Sequence, residues 1–119
     1  MKYGELIELL ENNPEAYLVF NDGVYVAGAH VSKGDVKLFR ADGNGWDFDG
    51  DFDPQPLEDD SPLEARIILR NLSFALDDDR DAYRQVVTDF GHRRYTVFLD
   101  GYDDNGDIVL EIGEEWYRG

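Results

Sequence analysis

The spacing of hydrophobic positions changes several times along this chain, and each change marks an element. Tyr3, Leu6, Ile7, Leu9 and Leu10 recur at helical spacing, while Glu5, Glu8 and Glu11 line the other side. This predicts a short amphipathic helix over residues 2–12, stopped by Asn12-Asn13-Pro14. Residues 16–21 and 24–31 then read as strands joined by Asn21-Asp22-Gly23, a strong hairpin signal. Gly28 inside the second strand predicts a bulge or a close backbone approach. Lys33-Gly34-Asp35 turns the chain again, into a strand over Val36–Arg40.

The second half begins with Ser61-Pro62-Leu63-Glu64, which has the form of a capping box with Pro at the first helical position. Behind it, Leu63, Ile67, Ile68, Leu72, Ala75 and Leu76 share an apolar face, and Arg66, Arg70, Ser73 and Asp77 form a polar stripe. That predicts a second helix. Asp77-Asp78-Asp79 breaks it and can cap a third, in which Ala82, Tyr83, Val86, Val87 and Phe90 fit helical spacing up to Gly91. The run Val86-Val87-Thr88 also suits a strand, because its side chains are β-branched. Tyr95, Val97 and Leu99 alternate with Thr96 and Phe98, and Ile108, Leu110 and Ile112 alternate with Val109 and Glu111. A turn containing Asn105-Gly106 joins them into a hairpin, with Trp116 and Tyr117 pinning its end. The expected fold class is α+β: an antiparallel sheet of about five strands with two or three helices, in a single domain over 1–119.

Composition narrows the class. At 42% apolar and 13% aromatic residues, the chain carries enough side-chain volume for a core and does not read as a disordered acidic tail. With no Cys, disulfides, thiolate catalysis and Cys-based metal centres are excluded. The first residues carry no basic region followed by an apolar run, and no apolar stretch reaches membrane-span length, so the expected location is the cytoplasm. The formal net charge of −16 repels nucleic acid and anionic membranes and attracts basic proteins or cations. It is uneven: residues 1–41 sum to −2, 42–60 to −8, 61–99 to zero and 100–119 to −6. The neutral block holds six of the eight Arg.

The most acidic block contains an alternating stretch. Read as extended chain, Asp47, Asp49, Asp51 and Asp53 project to one side while Trp46, Phe48 and Phe52 project to the other. Pro54, Pro56 and Pro62 argue against a central strand. Alternate residues of a strand lie ~6.6 Å apart, close to two phosphate steps of B-DNA at ~3.4 Å each. The row thus suits a rigid display of charge toward a basic, nucleic-acid-binding surface, extended by Glu58, Asp59, Asp60, Asp103 and Asp104. A calcium site is the alternative. Asp47, Asp49, Asp51, Asp53, Gln55 and Glu58 occupy the oxygen-bearing positions of an EF-hand loop, but Phe52 stands where that loop needs Gly, and Pro54 and Pro56 obstruct it. General acidity, as in a domain from a salt-adapted host, also fits Asp outnumbering Glu by 18 to 9 and a chain with only three Lys.

Catalytic signals are poor. His30 and His92 have no Cys and no recognisable Ser nucleophile motif near them, and read as structural. No phosphate loop or dinucleotide fingerprint is present, since Gly43, Gly45 and Gly50 stand among aspartates. Neither an enzyme nor a cofactor is expected. The opening Tyr3-Gly4-Glu5-Leu6-Ile7-Glu8-Leu9-Leu10-Glu11-Asn12-Asn13-Pro14-Glu15-Ala16-Tyr17-Leu18-Val19-Phe20 resembles the start of many short phage and prophage proteins, a helix running straight into a strand. The resemblance covers about the first forty residues. It implies a mobile-element protein of the kind that inhibits host defence, as anti-CRISPR and anti-restriction DNA mimics do, and it transfers no functional residue.

Overall fold

The computed structural model describes residues 1–31, 35–41, 62–72, 83–90 and 93–116. Along the chain these form α1 (Tyr3–Asn12), β1 (Leu18–Phe20), β2 (Val26–Val31), β3 (Asp35–Arg40), α2 (Ala65–Leu72), β4 (Gln85–Phe90), β5 (Arg93–Tyr102) and β6 (Ile108–Glu115). The α+β class holds, and the sheet has six strands in the order β1-β6-β5-β4-β3-β2. It is mixed, where an antiparallel sheet was expected. β1 runs parallel to β6, and β3 runs parallel to β4. Parallel neighbours need a long crossover, and residues 41–84, which include α2, supply one between β3 and β4.

α1 forms as its pattern demands. The Glu5 carboxylate accepts from the Lys2 N–H at 3.1 Å, and the Asn13 side-chain amide donates to the Leu9 carbonyl at 2.9 Å, so both ends have partners. Tyr3, Leu6, Ile7, Leu9 and Leu10 are buried. The Tyr3 hydroxyl donates to the Leu72 carbonyl at 2.8 Å and ties α1 to the end of α2. α2 begins at Ala65, later than the predicted cap. Its first N–H groups are satisfied by backbone: Ala65 donates to the Ala16 carbonyl at 2.8 Å and Arg66 to the Pro14 carbonyl at 3.0 Å. Ala65, Ile68 and Leu72 turn inward while Arg66 and Arg70 stay exposed, as the stripe predicts.

The expected third helix is a strand. Gln85–Phe90 is β4, paired with β3 on one side and β5 on the other. A strand at this position buries both faces, and Val86 and Val87 are both fully buried. Such a run lacks the alternation that separates strand from helix, and the β-branched side chains decide it. The C-terminal hairpin forms as expected, with Gly106 at φ +82 in its turn and the Trp116 N–H bonded to the Arg94 carbonyl at 2.7 Å.

β1 and β2 are the two outer strands of the sheet, yet they are consecutive in the chain. The turn between them has Gly23 at φ +90, and Val19 and Tyr25 form an isolated antiparallel bridge. The sheet therefore curls until its two edges meet. Inside the curl, Leu18, Phe20, Val26, Leu38, Val86, Val97 and Leu110 pack against the buried faces of α1 and α2. Fully burying one such leucine contributes ~2 kcal/mol.

Candidate functional site

The charged residues of the described structure fall into two groups. The first lies on one face of β3, β4 and β5. Asp89 and Arg94 are register partners, and Arg94 grips Asp89 with two bonds, Nε to Oδ1 at 2.7 Å and Nη2 to Oδ2 at 3.1 Å. Arg94 Nη1 reaches Asp35 Oδ2 at 3.2 Å, and Lys37 Nζ reaches Asp89 Oδ2 at 3.1 Å. Asp35 and Asp89 are almost fully buried and Lys37 nearly so. Two acids and two bases thus cancel within the sheet. His30, the register partner of Lys37, is half-buried. Nearby, the buried Arg40 pairs with Asp22, and its guanidinium stacks 5.1 Å from the Phe20 ring and 4.7 Å from the Phe90 ring.

The second group is acidic and outward. Glu5, Glu8 and Glu11 on α1, together with Glu15, Asp100, Asp104, Glu111 and Glu114, are exposed. Among the described residues no ion pair joins Glu8, Glu11, Glu15 or Asp104 to a base. Of the two aspartates predicted from the hairpin turn, Asp103 is occupied with the loop itself. Its Oδ1 accepts from the Asn105 and Asp107 N–H groups, each at 2.9 Å. Asp104 points no carboxylate inward and is free to be displayed.

Asp47, Asp49, Asp51, Asp53, Glu58, Asp59 and Asp60 lie outside the described residues, as do Trp46, Phe48, Phe52, Gln55 and His92. The residues of the calcium alternative lie outside the described residues as well. Among the described residues, no group of three or more His, Asp or Glu is placed to hold a metal ion, and no helix is long and apolar enough to cross a membrane.

A concave site, missed in the sequence, lies where the sheet closes. Glu15, Tyr17, Tyr25, Pro62, Asn105 and Asp107 line a cavity of about 650 Å³. Backbone contacts fix its walls: the Tyr17 N–H donates to Asp107 Oδ1 at 3.2 Å, and the Ile108 N–H donates to the Tyr17 carbonyl at 2.8 Å. The Tyr17 and Tyr25 rings are perpendicular with centroids 6.2 Å apart. Burial, followed by the carboxylates of Asp107 and Asp103, pushes the Tyr25 hydroxyl up from its ordinary value. A second cavity of about 410 Å³ shares Glu15, Asn105 and Asp107 with the first. The available signal was positional. The hairpin expected at Asn21-Asp22-Gly23 would make Tyr17 and Tyr25 diagonal cross-strand neighbours; β1 pairs with β6 instead, and the single bridge from Val19 to Tyr25 is what remains of that pairing.

A groove of about 690 Å³ runs between α1 and β5, lined by Glu5, Glu8, Leu9, Phe98 and Leu99 among others. Leu99 shares its alternation with the buried Val97 yet is 46% exposed, because β4 pairs with β5 only between Arg93 and Thr96. No family model, curated protein or solved structure matches this chain.

Proposed function

We propose that this protein is a non-enzymatic inhibitor that imitates the charge of nucleic acid and occupies a basic, nucleic-acid-binding surface on a host defence complex. The observation that carries the reading is the division of charge. Among the described residues, Lys37, Arg40 and Arg94 are paired inside with Asp89, Asp22 and Asp35, and Glu8, Glu11, Glu15 and Asp104 stand outside without a base, beside the exposed Lys2, Arg66, Arg70 and Arg93. With three bases consumed by these pairs, the outward acids of the described residues outnumber the outward bases, and the resulting negative field speeds encounter with a basic partner. Read as extended chain, the row Asp47, Asp49, Asp51 and Asp53 would add charge at a spacing near two phosphate steps. The resemblance of the opening residues to phage and prophage proteins supports a host defence complex as the target.

Capture from a host lysate tests this directly. At ~0.05 M salt the protein is expected to retain basic, nucleic-acid-binding proteins, and at ~0.2 M salt to release most of them. The variant with Asn at 47, 49, 51 and 53 should capture far less while keeping or gaining thermal stability, since self-repulsion falls. Equal capture at both salts would count against the reading, and so would full capture by the variant.

A further inference from the structure

The geometry points to the cavity at the sheet closure as a receptor for a single arginine side chain of the basic partner, with Tyr17 and Tyr25 as its aromatic walls and Glu15 and Asp107 as its counter-charges. This rests on the reading of the protein as a binder of basic surfaces and adds where one specific contact is made.

Three observations converge. Two tyrosines packed edge to face line the same cavity, and aromatic walls favour a planar cation such as a guanidinium. Asp107 is only 9% exposed, and among the described residues no base pairs with it. Its carboxylate accepts from the Tyr17 N–H at 3.2 Å and is hydrogen-bonded to the Tyr25 side chain, both neutral groups, and a guanidinium adds the opposite charge with donors in a planar fork. Glu15, exposed at the rim, supplies a second carboxylate. The cavity volume of about 650 Å³ falls within the ~300–1,000 Å³ usual for ligand sites. Its walls are preorganised, because the Tyr17 backbone is bonded on both sides to residues 107 and 108, and Tyr25 is bridged to Val19. Little ordering remains to be done on binding.

The test uses a hexa-arginine peptide and its citrulline counterpart, which has the same shape without the charge, titrated into the protein at low salt and followed by amide NMR shifts. The arginine peptide is expected to move Tyr17, Tyr25, Asn105 and Asp107, and the citrulline peptide to leave them still. Tyr17→Leu should weaken binding ~10-fold, and Tyr17→Phe, which keeps the π face, should stay within ~2-fold of the parent. Tyr17 is 37% exposed, so the leucine variant leaves the core intact; Glu15→Gln, at an exposed position, should weaken binding ~3-fold independently of it. Shifts confined to Glu5, Glu8 and Glu11 would overturn the arginine site and leave the acidic-binder reading standing. Equal affinity for the Leu and Phe variants would also overturn the site. Failure of the arginine peptide to bind anywhere at low salt would overturn both.

Discussion

Asp89 and Asp107 are both buried aspartates on strands or strand ends, and they live in opposite circumstances. Asp89 faces Lys37 and both arms of the Arg94 fork, so its charge is answered inside the protein. Asp107 is held by the Tyr17 N–H and faces Tyr25 in a cavity, with no base beside it among the described residues. The first arrangement consumes charge to fix the alignment of three strands. The second is answered only by neutral donors at a concave surface, which suits an incoming cation. A high net charge therefore says little by itself; the placement of the few bases decides which acids remain to act.

The same substitution at the two positions should separate them most sharply. Asp89→Asn removes the shared acceptor of two buried cations and is expected to cost ~3 kcal/mol or more in urea unfolding. Asp107→Asn keeps an acceptor for the Tyr17 N–H and deletes an unanswered charge, so stability should be unchanged or higher, while arginine-peptide binding drops. Equal destabilisation at both sites would erase the distinction. A smaller effect is expected at Gly106, where φ is +82 and an added Cβ meets no neighbour. Gly106→Ala then costs backbone strain alone, ~1–2 kcal/mol in the same assay, and loosens the loop that carries Asp107.

The mildest effect is a titration. The folded protein holds Tyr25 neutral above its ordinary value of 10.0, so the folded state keeps a proton that the unfolded chain has already lost. Stability from this group is fully present below that pH and declines as pH rises through the folded value. Ultraviolet titration of tyrosinate should show Tyr25 ionising late, and Asp107→Asn should bring it closer to its ordinary value. An unmoved transition in the variant would detach Tyr25 from Asp107.

Local patterns proved readable, and pairing over long distances did not. α1 and the β5–β6 hairpin were legible because their periods and the Asn105-Gly106 turn are contained within short windows. β4 resembled a helix because a strand buried on both faces has no alternation to show. The parallel pairs β1/β6 and β3/β4 left no mark, since nothing in Leu18–Phe20 signals Ile108. Asp35-Val36-Lys37-Leu38 has the look of a half-exposed strand. Its polar side is covered, and only the opposite charges of Asp89 and Arg94 on neighbouring strands hint at that. The tyrosine-walled cavity needed the closure of the sheet, a tertiary event, before its residues met.

That closure has a consequence for how the protein is made. β1 lies against β6, and the first residue donates to the Val97 carbonyl at 2.8 Å and accepts from the Val86 N–H at 3.0 Å. β1 and the backbone ahead of α1 thus complete their pairing only when β4, β5 and β6 are in place. Such contacts join residues as many as 96 positions apart, and contacts this distant in sequence form slowly. Until they form the apolar strands are exposed, and mutual repulsion among chains of charge −16 keeps nascent copies apart.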